Sequence, residues 1–361
     1  RVGLDNFYKV IFDGNGATDG SGFDQYIERD HSAELYPNAY VREGYGFASW
    51  NTVKEGIGGV SYRDKEEVQD LAPAKGEITL YAQWDLAHYT IRFEGNGGSL
   101  TGDASMGDIE CVYGTSYELR TNAFTRDGYT FKNWNTQDNG RGTSYEDEAE
   151  VINLSGTDRE TVKLYAQWDP IQYDIEYHLN GGVNAQENPA QYDASKGNIK
   201  LKAPVRSGYG FAGWFLDEEL QTETTGIVAG NLGKMDFYAK WTANSYNVRY
   251  YGNGATGGEM PGLDGYKYDE QFELRENLFA RTGYTFTGWN TRSDGAGSGY
   301  GDQELVQGLT ATDGATLNLF AQWELTAYNI TYDLDGGGNS ASNPKTYNIP
   351  TEVSLKNPSK T

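Results

Sequence analysis

The chain has 361 residues, with 28 Tyr, 47 Gly and only 9 Pro, and its 52 acidic and 29 basic side chains leave a net charge of −23. That charge repels nucleic acid and anionic membranes, so neither is expected as a partner, and no apolar run reaches membrane-span length, so no insertion is expected. The single cysteine, Cys111, excludes an intrachain disulfide framework or a cysteine-based metal cluster and reads as an apolar filler.

Abundant Tyr and Gly with scarce Pro indicate a β-rich chain with many tight turns. The first element is a period-two strand, Tyr8-x-Val10-x-Phe12. It recurs as Tyr89-x-Ile91-x-Phe93, Tyr173-x-Ile175-x-Tyr177, Tyr246-x-Val248-x-Tyr250 and Tyr328-x-Ile330-x-Tyr332. Aromatic, β-branched and aromatic side chains share one face of it, which is the core face. A Gly-rich turn follows each time, as at 13–16, 94–98 and 335–338, where Gly supplies a positive φ. A second extended segment leads to Leu35, Leu119 and Leu274, each nine residues before the Gly of the next motif.

That motif is Gly-Tyr-x-Phe-x-x-Trp, present as Gly44 to Trp50, Gly128 to Trp134, Gly208 to Trp214 and Gly283 to Trp289. Tyr and Phe share a strand face, and the Trp joins them only across a bulge, which Gly213 and Gly288 permit in two copies. An Arg precedes the Gly by two residues (Arg42, Arg126, Arg206, Arg281) and is expected to pack on an aromatic face of its own module. Next come Tyr62-x-Asp64 to Leu71, Tyr145-x-Asp147 to Leu154 and Tyr300-x-Asp302 to Leu309. Asp64 with Glu67 and Asp147 with Glu150 resemble capping boxes, and the Val-x-x-Leu spacing predicts one or two turns of helix. The third copy has a shorter segment, 217–231. Each copy closes on a strand ending in Trp84, Trp168, Trp241 or Trp323, so two positions in four copies account for all 8 Trp.

This is a chain of repeats. The closing Trp residues stand about 80 apart, too long a period for a solenoid unit and long enough for a small independent module. The expected modules are 1–85, 86–169, 170–242, 243–324 and a truncated fifth at 325–361. Each is β-rich α+β, and the four complete modules are expected to bury both their Trp. Four residues separate each closing Trp from the next opening Tyr, a connector that predicts a semi-rigid, elongated, monomeric rod of about 100 Å or more. The chain starts without Met, its opening residues lack signal-peptide character, and it stops inside a repeat, so it reads as an excerpt. Residues 355–361 answer 201–207, so the gene is expected to continue with another Gly-Tyr-x-Phe-x-x-Trp.

The composite pattern resembles the Listeria-Bacteroides repeat, the B-repeat of internalin-type surface proteins. The aromatic-x-Ile-x-aromatic strand and Asn-Gly-Gly turn at 173–182, the motif ending at Trp214, the closing Trp241 and the stub at 328–337 carry it most closely. The other copies are a longer variant with an added loop after Trp50, Trp134 and Trp289. The resemblance implies a β-grasp-like module, a few mixed strands over a short helix, in stalk and adhesion regions of secreted or wall-attached bacterial proteins. It places the chain outside the cell, at the bacterial surface or wall.

No catalytic, cofactor-binding or metal-binding residue is assigned. Gly252-x-Gly254-x-x-Gly257 has the letters of a dinucleotide fingerprint but no βαβ setting, and reads as a turn. Asp333-x-Asp335-Gly336 fails the calcium-loop pattern, with Gly337 and Pro344 at ligand positions. His31, His88 and His178 occupy non-equivalent positions and build no cage or catalytic set. An array of equal modules without a unique polar cluster is a poor enzyme. Two functions remain: a stalk that spaces an adhesive head, which is favoured, or a binding array for a host or cell-wall glycan or protein. An array would draw on aromatics outside the repeat pattern, such as Tyr26, Tyr36, Tyr40, Tyr113, Tyr266 and Tyr268.

Overall fold

A computed structural model describes residues 4–360; residues 1–3 and 361, which the sequence assigns to the first and last modules, lie outside the described residues. In the first repeat the alternating Tyr8, Val10 and Phe12 put β1 (Phe7–Asp13) on the core with these three side chains buried. Eight further strands follow. They are β2 (Asp19–Gly20), β3 (Gln25–Glu28), β4 (Ala33–Glu34), β5 (Tyr40–Val41), β6 (Tyr45–Asn51), β7 (Ser61–Tyr62), β8 (Glu67–Val68) and β9 (Glu77–Leu86). The main sheet has the order β3-β1-β9-β6-β7, with β1 and β9 parallel and the other neighbours antiparallel. Two ribbons, β2 with β5 and β4 with β8, complete the module.

Three further five-stranded sheets repeat this order, centred on the parallel pairs His88–Glu94 with Thr161–Pro170, Gln172–His178 with Met235–Ala243, and Ser245–Tyr251 with Thr316–Leu325. Each sheet covers its own apolar cluster. Tertiary contacts divide the chain into two units. One holds the residues up to 172 with 193–195, and the other holds 173–192 and the residues from 196 on.

The expected helix is absent: among the described residues the one helical element is a three-residue 3-10 turn, Leu4–Asn6. The segment after Tyr62 makes a tight turn and then the ribbon strand β8. Lys65 at its centre has φ +59°, as do Glu148 (+59°) and Gln303 (+53°) in the counterparts, and a left-handed residue ends any helical path. The supposed caps serve elsewhere. Asp64 accepts the backbone N–H of Asn38 (2.7 Å), as Asp147 does from Asn122 and Asp302 from Asn277 (both 2.9 Å). Glu67 and Glu150 accept the hydroxyls of Ser32 and Ser116 across the ribbon (both 2.6 Å). Val68, Val151 and Val306 still bury their side chains, which explains the helix-like spacing.

The bulge in the Gly-Tyr strand occurs in all four copies, at Phe47/Ser49, Phe131/Asn133, Phe211/Gly213 and Phe286/Gly288. It turns the Trp back to the core, where Trp50, Trp134, Trp214 and Trp289 are at most 2% exposed. The closing Trp is only half-buried, contrary to expectation. Its indole N–H leaves the core edge to donate to the Gly-rich turn, at the carbonyls of Gly14, Gly95, Leu179 and Gly252 (2.9–3.0 Å).

The last segment repeats the hydrogen bonds of the third module without its sheet. Tyr332 donates to the Pro344 carbonyl as Tyr177 does to Pro189 (2.7 and 2.8 Å), and Asn343 holds Lys356 as Asn188 holds Lys202. Among the described residues its one ladder joins Tyr328–Asn329 to Thr346–Tyr347, with an isolated bridge between Gly338 and Ser359, and Tyr347, Ile349 and Leu355 are exposed. Hydrogen exchange across 328–360 is therefore expected to run much faster than in the four sheets. Exchange as slow as in the sheets would show that this segment folds by itself.

Candidate functional site

Each module is organised by a chain of ring contacts. Phe12, Phe93 and Tyr250 each lie 4.8 Å from the buried Trp of their module, at interplanar angles of 60–63°. The motif Phe then bridges the buried Trp to the closing Trp, 5.0 and 5.9 Å away in the first module and 5.0 and 5.7 Å in the fourth. Tilted and edge-on rings at these distances add to the gain from burial. In the third module, burial pushes the Tyr177 hydroxyl up to about 12, so it stays protonated as a donor to Pro189.

The repeated Arg takes the packing role. Arg42, Arg126, Arg206 and Arg281 place their guanidinium 3.8–4.0 Å over the rings of Tyr45, Tyr129, Tyr209 and Tyr284. The opposite guanidinium face lies against Gly16, Gly97, Gly181 and Gly254 of the Gly-rich turn, where an added Cβ would come within 3.1–3.6 Å. The Asn before that Gly carries a role that sequence reading missed. Asn15, Asn96, Asn180 and Asn253 have φ of +43° to +48° and donate their amides to the carbonyls of Ala82, Ala166, Ala239 and Ala321. The turn is thereby fixed to the closing strand. The recurrence of Asn at this place was the available signal.

A second recurring feature is the joint between consecutive modules. The closing strand runs on until a single residue separates it from the next opening strand, at Ala87, Ile171 and Asn244, so the four-residue connector is itself mostly strand. That residue, and Thr326 after the fourth module, donates its N–H to the carbonyl of the Gly-Tyr glycine: Ala87 to Gly44, Ile171 to Gly128, Asn244 to Gly208 and Thr326 to Gly283, all 2.9 Å. In the first unit Gly44 also donates to Gly156 (2.9 Å) and lies under the ring of Tyr113, while Asp158 accepts the N–H of His88. In the second unit Gly208 lies under Tyr268, which stacks edge-on with Tyr209 at 5.8 Å, and Ile349 packs at Gly283.

These joints correct the list of aromatics free for binding. Tyr113 and Tyr268 are joint residues, and Tyr266 packs on Phe272 at 3.8 Å within the fourth core. Tyr40 stands edge-on to Trp50 and donates to the Phe12 carbonyl (2.7 Å). Tyr26 and Tyr36 remain about half exposed, at 53% and 47%. Tyr36 borders a cavity of about 260 Å³ in the first module, whose walls are Phe12, Phe23, Tyr36, Pro37, Tyr40 and Trp50 together with Gly22 and Ala39.

Cys111 is buried in the second core, where burial pushes its thiol up and suppresses reactivity. Gly252 to Ala255 form the expected tight turn, closed by Ala255 N–H on the Gly252 carbonyl, and Leu334 to Gly337 form the same turn, closed by Gly337 N–H on the Leu334 carbonyl. His31 and His88 are exposed. His178 is brought together with Glu176 and Asp236, three ligand-type side chains within 4.8 Å of one another, a meeting the sequence did not reveal. Lys234 stands among them, 2.5 Å from Glu176 and 3.3 Å from Asp236, and His178 lies 3.0 Å from Asp236. The bonds from His178 and Lys234 hold the Asp236 carboxyl below its usual range. Lys234 thus pairs both carboxylates, and the cluster joins the parallel strands at the surface of the third sheet.

A sequence profile described as the Listeria-Bacteroides repeat domain matches residues 8–83, 89–167, 173–240 and 246–312. The chain belongs to the Listeria-Bacteroides repeat family. Each matched span begins at the opening Tyr (Tyr8, Tyr89, Tyr173, Tyr246), so the family repeat starts where each five-stranded sheet starts. Two relatives from Evansella cellulosilytica are each 30% identical to this chain over the matched residues. One, provisionally named a membrane protein, matches over 88% of this chain and 44% of its own length. The other, provisionally named a Gly-rich membrane protein, matches over 82% and 32%. The chain thus spans less than half the length of these curated relatives. Among solved structures, the Bacillus anthracis TIE protein aligns over 88% of this chain and 50% of its own at 10% identity, with a TM-score of 0.19 that carries no structural argument. Among the described residues no helix is long and apolar enough to cross a membrane.

Proposed function

We propose that this chain is a non-catalytic stalk region of a secreted or wall-attached bacterial surface protein, whose modules space or present an adhesive head. The observation that carries the reading is the recurring joint. The same backbone bond onto the Gly-Tyr glycine follows every closing strand, and one residue separates successive modules at three of the four joints. Joints of this kind restrict the angle between neighbours and favour an extended string over a compact particle. Membership of a repeat family and a net charge of −23 are consistent with a soluble, self-repelling spacer outside the cell. In chain order the main strands read 2-1-5-3-4 with the first and last parallel, which supports a β-grasp-like sheet in which a two-stranded ribbon stands in for the helix.

Small-angle scattering of the whole chain tests the proposal. A single globule of this length would have a radius of gyration of about 21 Å. The stalk is expected to give about 30 Å or more, little changed by salt, and a value near that of a globule would overturn it. The binding-array reading gains nothing general from the modules, because the aromatic-walled cavity belongs to the first one.

A further inference from the structure

The cavity of the first module lies where the second and fourth modules place a methionine. Gly22 stands three residues before Gln25, which pairs with Val10. Three residues before the counterpart of Gln25, the second module has Met106 (before Ile109, paired with Ile91) and the fourth has Met260 (before Leu263, paired with Val248). Both methionines pack half-buried against their cores. The Met260 sulfur accepts the N–H of Leu278 at 3.5 Å, and Leu278 is the counterpart of Ala39, a wall of the cavity; each follows the Asn of the same turn.

The surrounding rings match closely. Tyr40, Phe124 and Phe279 all stand 6.3 Å from the buried Trp, at 69–73°. The first module thus lacks the methionine while its ring surroundings match those of the second and fourth. The Tyr40 hydroxyl takes part of the space, since a Cβ on Gly22 would lie 2.7 Å from it, and a cavity of about 260 Å³ remains. Phe23, 76% exposed, and Tyr36 stand at its rim.

We infer that the first module carries a binding site for one unbranched apolar side chain, of the methionine class, presented by a partner polypeptide. The chain itself supplies that group to the two counterpart seats. No wall residue is a carboxylate, amide or cation, and the Tyr40 hydroxyl is committed to the Phe12 carbonyl; the Tyr36 hydroxyl and the Trp50 indole N–H are the remaining polar side-chain groups, too few to satisfy the hydroxyls of a buried sugar ring. The volume suits a single side chain, not a lipid tail. This inference is independent of the stalk reading, which concerns the joints.

The test is titration of the isotopically labelled full chain with N-acetyl-methionine methylamide, read by amide chemical shifts, with N-acetyl-glutamine methylamide as the control. A ligand of this size is expected to saturate with Kd of about 1 mM. Shifts are expected at Gly22, Phe23, Tyr36 and Ala39 and not at the filled seats of Met106 and Met260. Gly22→Met combined with Tyr40→Phe restores the pairing of the second and fourth modules and should abolish the shifts. Ala39→Leu, the residue of the fourth module, should do the same should the double variant fail to fold, and Phe23→Ala at the exposed rim should weaken binding several-fold. The inference is overturned by the absence of saturation, by equal binding of the glutamine compound, or by binding that survives in a folded, filled variant.

Discussion

Trp134→Ala is expected to unfold the second module within an otherwise folded chain. The indole is fully buried, contacts Phe93, Phe124 and Phe131, and donates to Asp147 at 3.3 Å. Removing such a side chain costs about 3–5 kcal/mol, through lost transfer energy and the cavity left behind. A module of about 80 residues holds about 4–12 kcal/mol in all, so the loss removes much of its stability. Trp168→Ala should cost less, about 1–3 kcal/mol, because that indole is half-buried and loses one hydrogen bond to the Gly95 carbonyl. Hydrogen exchange resolved by peptide separates the two variants: fast exchange across 88–170 for the first, near-native exchange for the second. A larger effect from Trp168→Ala would place the core on the wrong tryptophan.

Gly208→Ala should open the joint between the third and fourth modules and leave both cores intact. Gly208 has φ +80°, where a side chain costs about 1–2 kcal/mol, and the new Cβ would lie 2.1 Å from the Tyr268 ring. The ring cannot stay, and it is held by Tyr209 and by the Tyr268 N–H on the Asn244 carbonyl (2.8 Å). The amides of Asn244 and Tyr268 are expected to exchange at least about tenfold faster, the factor that 1.4 kcal/mol represents. Adding Tyr268→Ala should recover only the overlap and not the backbone cost. Gly44→Ala facing Tyr113 is the matching experiment in the first unit, with a Cβ at 2.5 Å. Unchanged joint amides in both variants would show that the joints do not bear on the fold.

Much of this architecture was legible because strands declare their faces by alternation. Tyr8, Val10 and Phe12 specify a core face by letters alone, and the register of all 8 Trp specifies the repeat. The ribbon strand was illegible for a physical reason. Val68 and Leu71 are three apart, a spacing shared by a helix and by a strand entered from a turn, and only the left-handed backbone at Lys65 decides between them. The joints were hidden because their aromatics, Tyr113 and Tyr268, touch a glycine in a different repeat, and periodicity within one repeat cannot report that. The cavity was hidden because it is an absence at Gly22, visible only once the register equates that residue with Met106 and Met260.

The parallel pairing of β1 with β9 has a mechanical consequence. Chain enters each module through the opening strand and leaves through the closing strand, and these lie side by side at the centre of the sheet, joined from Lys9 with Glu77 to Asp13 with Tyr81. Tension applied along the polypeptide therefore pulls the two strands in opposite directions along their length. All the hydrogen bonds of that ladder are loaded in shear together, where an antiparallel terminal pair would peel open one bond at a time. Such a module resists extension until the whole ladder gives way at once.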